Sequence, residues 1–178
     1  MSPIKELSDT EAAYVAGIID GEGTIGLTRL HSGENRRPVV SVSSTERPLL
    51  EYIKSIVGAG RITNKACSSP HHSPSFAYVV VNRQALAVLQ RVKPFLRTYK
   101  AERARLLLDE YLKVTPRNGR YTDAQLKAKR DFEVRFLAVQ MRARNKPREP
   151  GTVPPVNTCE YEDRNLLKPS RARSIRSS

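Results

Sequence analysis

Helical and strand-like patterns of apolar residues alternate along the first half of the chain. Residues Ser8-Asp9-Thr10-Glu11 form a capping box, and apolar residues at helical spacing follow it. This pattern predicts a helix over 12–19 that ends at Gly21 and Gly23. Apolar and polar positions instead alternate over 24–30 and 39–44. This alternation predicts two half-buried strands that form a hairpin with a polar loop between them.

The same order then repeats. Ser44 or Thr45 is expected to cap a second helix, which ends at the glycine turn 58–60. Asn82 is expected to cap a third helix after two more strands. Those strands are predicted over 61–67 and 76–81, the latter being aromatic and β-branched.

Two further helices are predicted over 100–114 and 122–145. The whole order predicts an α+β fold, αββαββα, with a four-stranded antiparallel sheet, helices on one face and extra C-terminal helices. The domain is expected to span 1–145. Prolines and basic residues dominate 146–178, which we expect to be a flexible basic tail.

The predicted sheet leaves one face uncovered by helices, and that face is polar. It carries Thr24, Thr28, Ser41, Ser43, Arg61, Thr63 and Lys65. Hydroxyl and basic side chains on an antiparallel sheet can line the groove of a nucleic acid duplex.

The charge of the chain favours the same class of partner. Its 178 residues include 31 Lys and Arg against 18 Asp and Glu, a net charge of +13. Such an excess indicates a polyanionic partner, most often nucleic acid, although a solvated basic face or a ribosomal-type structural protein would also account for it. Cys67 and Cys159 form neither a disulfide framework nor a zinc motif, so we expect an intracellular protein. No apolar run is long enough to cross a membrane.

The first predicted helix carries acidic residues at its carboxyl end. Asp20 and Glu22 stand there, separated and followed by glycine. Carboxylates are unfavourable at this end because the helix dipole is negative there. A divalent cation is the natural compensating charge.

This segment also resembles a known signature. Residues 15–25, VAGIIDGEGTI, resemble the LAGLIDADG motif of the homing endonucleases, and 44–50, 58–62 and 94–100 resemble later segments of that family. The resemblance covers about residues 10–115. It implies a metal-dependent, site-specific double-strand DNA endonuclease that promotes intron homing. A single motif copy implies a homodimer that reads a long pseudo-palindromic DNA target.

The resemblance also implies roles for individual residues. Glu22 would be the catalytic acid and would bind Mg²⁺ together with its symmetry mate, with the backbone carbonyl of Gly21 as a further ligand; Mn²⁺ or Ca²⁺ would substitute for binding. Lys100 would be the active-site lysine; this chain has one residue more between Leu96 and Lys100 than the relatives to which it aligns, so Arg97 is the alternative. Ser44 stands where several relatives carry a water-positioning glutamine.

The remaining roles concern packing between two subunits and contact with a phosphate. The resemblance implies that Ala13, Ala16 and Gly17 allow close contact between the motif helices of two subunits. We interpret Asp20 as structural, and Arg47 as a basic partner for a nearby phosphate.

Base recognition is expected from the open face and its flanking loops. The candidates are Thr28, Ser32, Arg37, Ser41, Thr63 and Lys65, with Arg61 on the same face. Other basic residues, including those of 127–144, would hold phosphates without reading sequence. We interpret His71 and His72 as an exposed or DNA-backbone loop rather than a metal site.

Two other functions are compatible with the motif and the charge. One is an RNA maturase that assists splicing of its host intron, with intron RNA as the partner. The other is a DNA-binding protein that has lost cleavage, against which the retained Glu22 argues. The expected location is a bacterial or archaeal cytoplasm or an organelle.

Overall fold

The computed structural model describes residues 4–29, 31–32, 34–65, 73–116 and 120–145. The predicted tail over 146–178, both cysteines, and the loop containing His71 and His72 lie outside these residues. Within the described part, no helix is both long and apolar enough to span a membrane.

The helices and strands follow the predicted order. They are α1 (Asp9–Glu22), β1 (Gly23–Thr28), β2 (Arg37–Ser44), α2 (Arg47–Val57), β3 (Arg61–Asn64), β4 (Phe76–Val81), α3 (Asn82–Val92), a 3₁₀ turn (Lys93–Phe95), α4 (Tyr99–Glu110) and α5 (Asp123–Asn145). The predicted α+β fold class is therefore confirmed.

The four strands form one antiparallel sheet in the order β1-β2-β4-β3. Ile25 lies opposite Val40, which lies opposite Val80, and all three side chains are buried against the helices. The adjacent cross-strand row, Thr24-Ser41-Val79-Arg61, points to the other face. Strand periodicity thus separates an apolar face under the helices from an open face, on which Val79 lies between the polar Ser41 and Arg61.

The ends of the helices differ from the predictions at four places. The helix predicted over 100–114 is α4, which ends at Glu110. α1 continues through Gly21 to Glu22, because a helical glycine costs only about 1 kcal/mol relative to alanine and does not by itself stop a helix. The N-cap of α2 is Glu46, whose backbone N–H is bound by the Ser44 hydroxyl at 2.9 Å. The N-cap of α3 is Val81, and Asn82 is the first helical residue.

The start of α1 agrees with its predicted capping box. The Ser8 hydroxyl accepts from the Glu11 backbone N–H, and the Ser8 N–H donates to the Glu11 carboxylate at 2.8 Å. The helix ends at Gly23, whose backbone is extended with φ −92° and ψ 168°. A Cβ at this glycine would lie 2.6 Å from the Cα of Ile19, so no other residue fits without movement.

The C-terminal helices extend the core beyond the sheet. Phe132 and Phe136 of α5 are completely buried, and the Phe132 ring packs against Tyr111 just after α4. α5 therefore belongs to the same folded core as the sheet.

Candidate active site and nucleic-acid interface

The candidate active site lies at the junction of α1 and β1. Val15 and Ile19 anchor α1 in the core, whereas Gly21 and Glu22 in its last turn are exposed. Because β1 begins immediately at Gly23, the Glu22 carboxylate stands at the border between the helical layer and the sheet.

Lys100 supplies a positive charge at this helix end. Its Nζ donates to the backbone carbonyls of Ile19 at 2.7 Å and Asp20 at 2.9 Å, and the residue is only 6% exposed. Burial lowers the pKa of the ammonium, while the carboxylates of Asp20 and Glu22 oppose that shift. A cation at a helix C-terminus is favourable, so Lys100 compensates for part of the charge that the sequence pattern left unexplained.

Asp20 is occupied by contacts within the chain. Its carboxylate accepts from the Arg97 backbone N–H and from the Thr98 hydroxyl, both at 2.6 Å. Thr98 in turn is the N-cap of α4 and accepts from the backbone N–H of Lys100. Asp20 therefore joins the end of α1 to the start of α4.

The Glu22 side chain borders an open polar recess of about 430 Å³. The other lining residues are Ser43, Ser44, Thr45 and Ser75. Ser44 therefore lines the same recess as Glu22, and its hydroxyl accepts from the backbone N–H of Glu46 at 2.9 Å. Ser75, which follows the second hairpin loop, was not among the sequence candidates.

The oxygen atoms at the end of α1 suit a divalent cation, although one chain offers few of them. No group of three or more His, Cys, Asp or Glu side chains that could hold a metal is present among the described residues. Glu22 is exposed, and a side chain built on Gly21 would meet nothing within 4 Å, so space for an ion exists on this side of the helix. Since Mg²⁺ keeps several waters and needs few carboxylates, the residues fit a site shared between two copies.

Arg47 and Arg97 are placed differently from Lys100. The Arg47 guanidinium pairs with Glu51 at 2.7 Å and lies over the Phe76 ring, 5.5 Å from its centroid. Arg97 donates from its guanidinium to the carbonyl of Pro94 at 3.0 Å. Of these three residues, only Lys100 binds the end of the motif helix through its side chain, whereas Arg97 reaches Asp20 through its backbone N–H.

The open face of the sheet carries the predicted DNA-contacting side chains. Thr24, Arg61, Thr63 and Lys65 are exposed, while Thr28, Arg37 and Ser41 are partly buried. Lys65 Nζ donates to the Ser43 hydroxyl at 3.3 Å, which brings the β3 edge close to the recess that contains Glu22. Ser32 is exposed in the loop between β1 and β2.

Two of the three residues predicted to lie at a dimer contact are on the exposed side of α1. Ala13, Tyr14 and Gly17 are exposed, and Tyr14 packs edge-on against the exposed Tyr52 of α2. Ala16 is completely buried against its own chain, which corrects its prediction as a contact residue. Ala16 lies on the core side because it is one turn from both Ala12 and Ile19.

Sequence reasoning did not identify Arg103, which is 5% exposed in α4. Its guanidinium donates to the Ile25 carbonyl of β1 at 3.0 Å and to the Gln140 side chain of α5 at 3.1 Å. It also lies over the rings of Tyr99 and Phe136. Because the charges of this helix alternate, the local sequence does not indicate that this arginine is buried.

Similarity to known proteins is found at the level of the structure. No family model and no curated protein matches the chain. Among solved structures, it is similar to the homing endonuclease I-CvuI in complex with its target in the presence of calcium, with a TM-score of 0.60 and 17% identity over 81% of this chain and 87% of that one.

Two other structures give the same result. The archaeal intron-encoded homing endonuclease I-Vdi141I complexed with DNA has a TM-score of 0.51 and 23% identity over 74% of this chain and 84% of that one. I-SmaMI bound to an uncleaved DNA target with calcium ions has a TM-score of 0.55 and 23% identity over 85% and 53% of the two chains. The fold of this chain is that of the LAGLIDADG homing endonucleases, as the motif at the end of α1 predicted.

Proposed function

We propose that this chain is a site-specific double-strand DNA endonuclease of the homing type. The observation that carries the proposal is the position of Glu22. Its exposed carboxylate stands at the end of α1, beside the recess that hydroxyl side chains line and next to the open face of the sheet. A carboxylate in that position would meet the backbone of a duplex that lay along the sheet.

The open face would supply the DNA contacts. Hydroxyl and basic side chains on antiparallel strands can reach base edges in the major groove, and Arg61 and Lys65 favour guanine. The net charge of +13 would add attraction to phosphates that carries no sequence information. The similar structures of I-CvuI and I-Vdi141I are complexes with DNA, which supports this partner.

Glu22 and the backbone carbonyl of Gly21 would hold a divalent cation, for which Mg²⁺ is our proposal. When bound, such an ion supplies an activated water and neutralises charge that develops on the phosphate. Magnesium and calcium accompany the similar I-CvuI complexes, which is consistent with this assignment.

The neighbouring residues of the chain would hold this site in place. Lys100 and Asp20 fix the last turn of α1, through the Ile19 carbonyl and the Arg97 backbone respectively. The carboxylate of Glu22 is then carried on a rigid turn, and rigid support is what precise positioning of a reacting phosphate requires. Ser44 lines the same recess and could contact the phosphate or an ordered water.

The site would be completed by a second copy of the chain. One exposed carboxylate is insufficient to hold the metal ions for two strand cuts, and the exposed side of α1 offers Gly17 for close approach. A Cβ at Gly17 would meet nothing within 4 Å in the monomer. Gly17→Leu should therefore fold normally and sediment as a monomer, whereas Gly21→Ala should remain dimeric; a monomeric wild-type protein that still cuts would refute the shared site.

Selection from a randomised duplex library tests the function and identifies the target in the same experiment. The protein is incubated with the library and Ca²⁺, because a similar protein holds uncleaved DNA with calcium ions. The selected duplex is then incubated with Mg²⁺ or with EDTA. We expect a pseudo-palindromic motif and cleavage of both strands only with Mg²⁺. Selection of no motif would contradict the proposal. Tighter binding of duplex RNA than of the DNA library in a parallel binding assay would favour the maturase alternative.

A further inference from the structure

We propose that Glu133 on α5 is a positioning residue that sets where the loop end of the β1–β2 hairpin lies, and thereby which base pairs this hairpin discriminates. The inference rests on the proposed DNA-binding function. Glu133 would not contact DNA itself, since it acts through Arg36 at the start of β2.

The contact between α5 and the hairpin is an ion pair. Arg36 Nε lies 3.3 Å from Glu133 Oε2, and the two side chains are only 32% and 16% exposed. Arg36 directly precedes Arg37, the first residue of β2, which lies opposite Thr28 at the end of β1. A shift of Arg36 would therefore move both ends of the loop that carries Ser32.

A second contact fixes the backbone at the same residue. The Tyr111 hydroxyl donates to the carbonyl of Arg36 at 3.4 Å. The Tyr111 ring is itself held from α5, because Lys129 Nζ lies 4.2 Å from its centroid and donates to the Thr115 hydroxyl at 2.8 Å. Arg36 is thus held at its side chain and its backbone by the α4–α5 pair.

A third contact lies further along β1. Within the described residues this strand is at the edge of the sheet, and no further strand pairs with its outer side. Arg103 donates from one terminal nitrogen to the Ile25 carbonyl there and from the other to the side-chain oxygen of Gln140 in α5. Glu133, Phe136 and Gln140 are spaced by three and four residues, so one side of α5 supports the hairpin along its length.

These contacts would give α5 a role in DNA recognition, although it carries no candidate active-site residue. Side chains that read bases must be held to within a fraction of an ångström, and a hairpin at a sheet edge needs support from outside the sheet. The Arg36–Glu133 contact provides that support at the loop end, which is opposite to the end of the hairpin where β1 follows Glu22.

Glu133→Gln tests the inference, with Glu110→Gln as its matched control. Glu110 also forms an ion pair that involves α5, because Arg135 donates to its carboxylate at 3.0 Å. This pair does not involve the hairpin. Both variants and the wild type are passed through the randomised duplex selection with Ca²⁺. We expect Glu133→Gln to lose roughly fivefold or more of its discrimination at the outer positions of each half-site, which is the lower end of what one base contact provides. The central positions should be unchanged, and Glu110→Gln should select the wild-type motif.

Two further variants distinguish a positioning role of Glu133 from a general effect on folding. The exchange Arg36→Glu with Glu133→Arg should restore outer discrimination, and Tyr111→Phe should reduce it in the same direction while preserving the ring contacts. If Glu133→Gln selects the wild-type motif, or if Glu110→Gln loses as much at the same positions, the inference is wrong. A wild-type protein that selects no motif would instead contradict the proposed function, and the inference with it.

Discussion

The ammonium group of Lys100 donates to the backbone carbonyl of Ile19 at 2.7 Å, across 81 positions of the chain. This contact places a cation at the carboxyl end of α1, one turn before Glu22. The motif helix is therefore held at its acidic end by contacts within the chain itself.

Removal of this cation should destabilise the fold. In Lys100→Met, the carbonyls of Ile19 and Asp20 lose a charged donor in a buried position. We expect a loss of about 2 kcal/mol in the free energy of unfolding, the usual value for hydrogen bonds to a charged group. Urea denaturation measures it, and Lys93→Met, which changes an exposed lysine, is the control. An unchanged unfolding midpoint would mean that the contact contributes nothing.

Asp20 should behave as a structural residue. The Asp20→Asn variant removes the charge that binds the Arg97 N–H and the Thr98 hydroxyl, and leaves a weaker acceptor. We expect about 1 kcal/mol of destabilisation, with cleavage retained at temperatures well below the melting transition. Thermal denaturation and a cleavage assay on the same sample check both statements. A stable but inactive variant would instead place Asp20 among the catalytic residues.

Arg61 should contribute to DNA binding through its charge. It is exposed on the open face, whereas Arg91 pairs with Glu6 in the helical layer. For Arg61→Ala, the slope of log K against log salt concentration should fall by about one unit, as for the loss of one phosphate contact. Arg91→Ala should leave the slope unchanged. Equal slopes for both variants and the wild type would exclude the open face as the binding surface.

Lys129 should make stability depend on pH in the alkaline range. Burial lowers the pKa of Lys129 to about 8 from its ordinary value of 10.5, against the opposing charge of Glu133. Between these two pH values the unfolded chain binds a proton that the folded chain has lost, so stability should rise with pH through this window. Lys129→Met should lessen that rise, while Lys127→Met, which changes an exposed lysine, should not. Urea midpoints from pH 7 to 10.5 measure the effect, and equal slopes for the two variants would contradict it.

Local sequence signals predicted most of the fold. β4 begins and ends at Phe76 and Val81 as expected, because its aromatic and β-branched residues favour only a strand. The start of α1 was equally clear, since both hydrogen bonds of its capping box depend on Ser8 and Glu11 alone.

Contacts between distant residues were not predictable in the same way. α1 is apolar on most sides, so its pattern could not show that Ala16 faces the core while Gly17 is exposed. The burial of Arg103 depends on rings from α4 and α5 that meet only in the fold. The motif indicated which residues could carry chemistry, whereas tertiary packing decides what supports them.

The central claim is that Glu22 carries the cleavage chemistry and has no part in holding the fold together. Glu22→Gln, assayed on the library-selected duplex, tests it most directly, because the side chain is exposed and keeps its size. We expect unfolding within about 0.5 kcal/mol of the wild type, unchanged duplex affinity in Ca²⁺-free buffer, and no cleavage with Mg²⁺. Cleavage by Glu22→Gln at the wild-type rate would contradict the account.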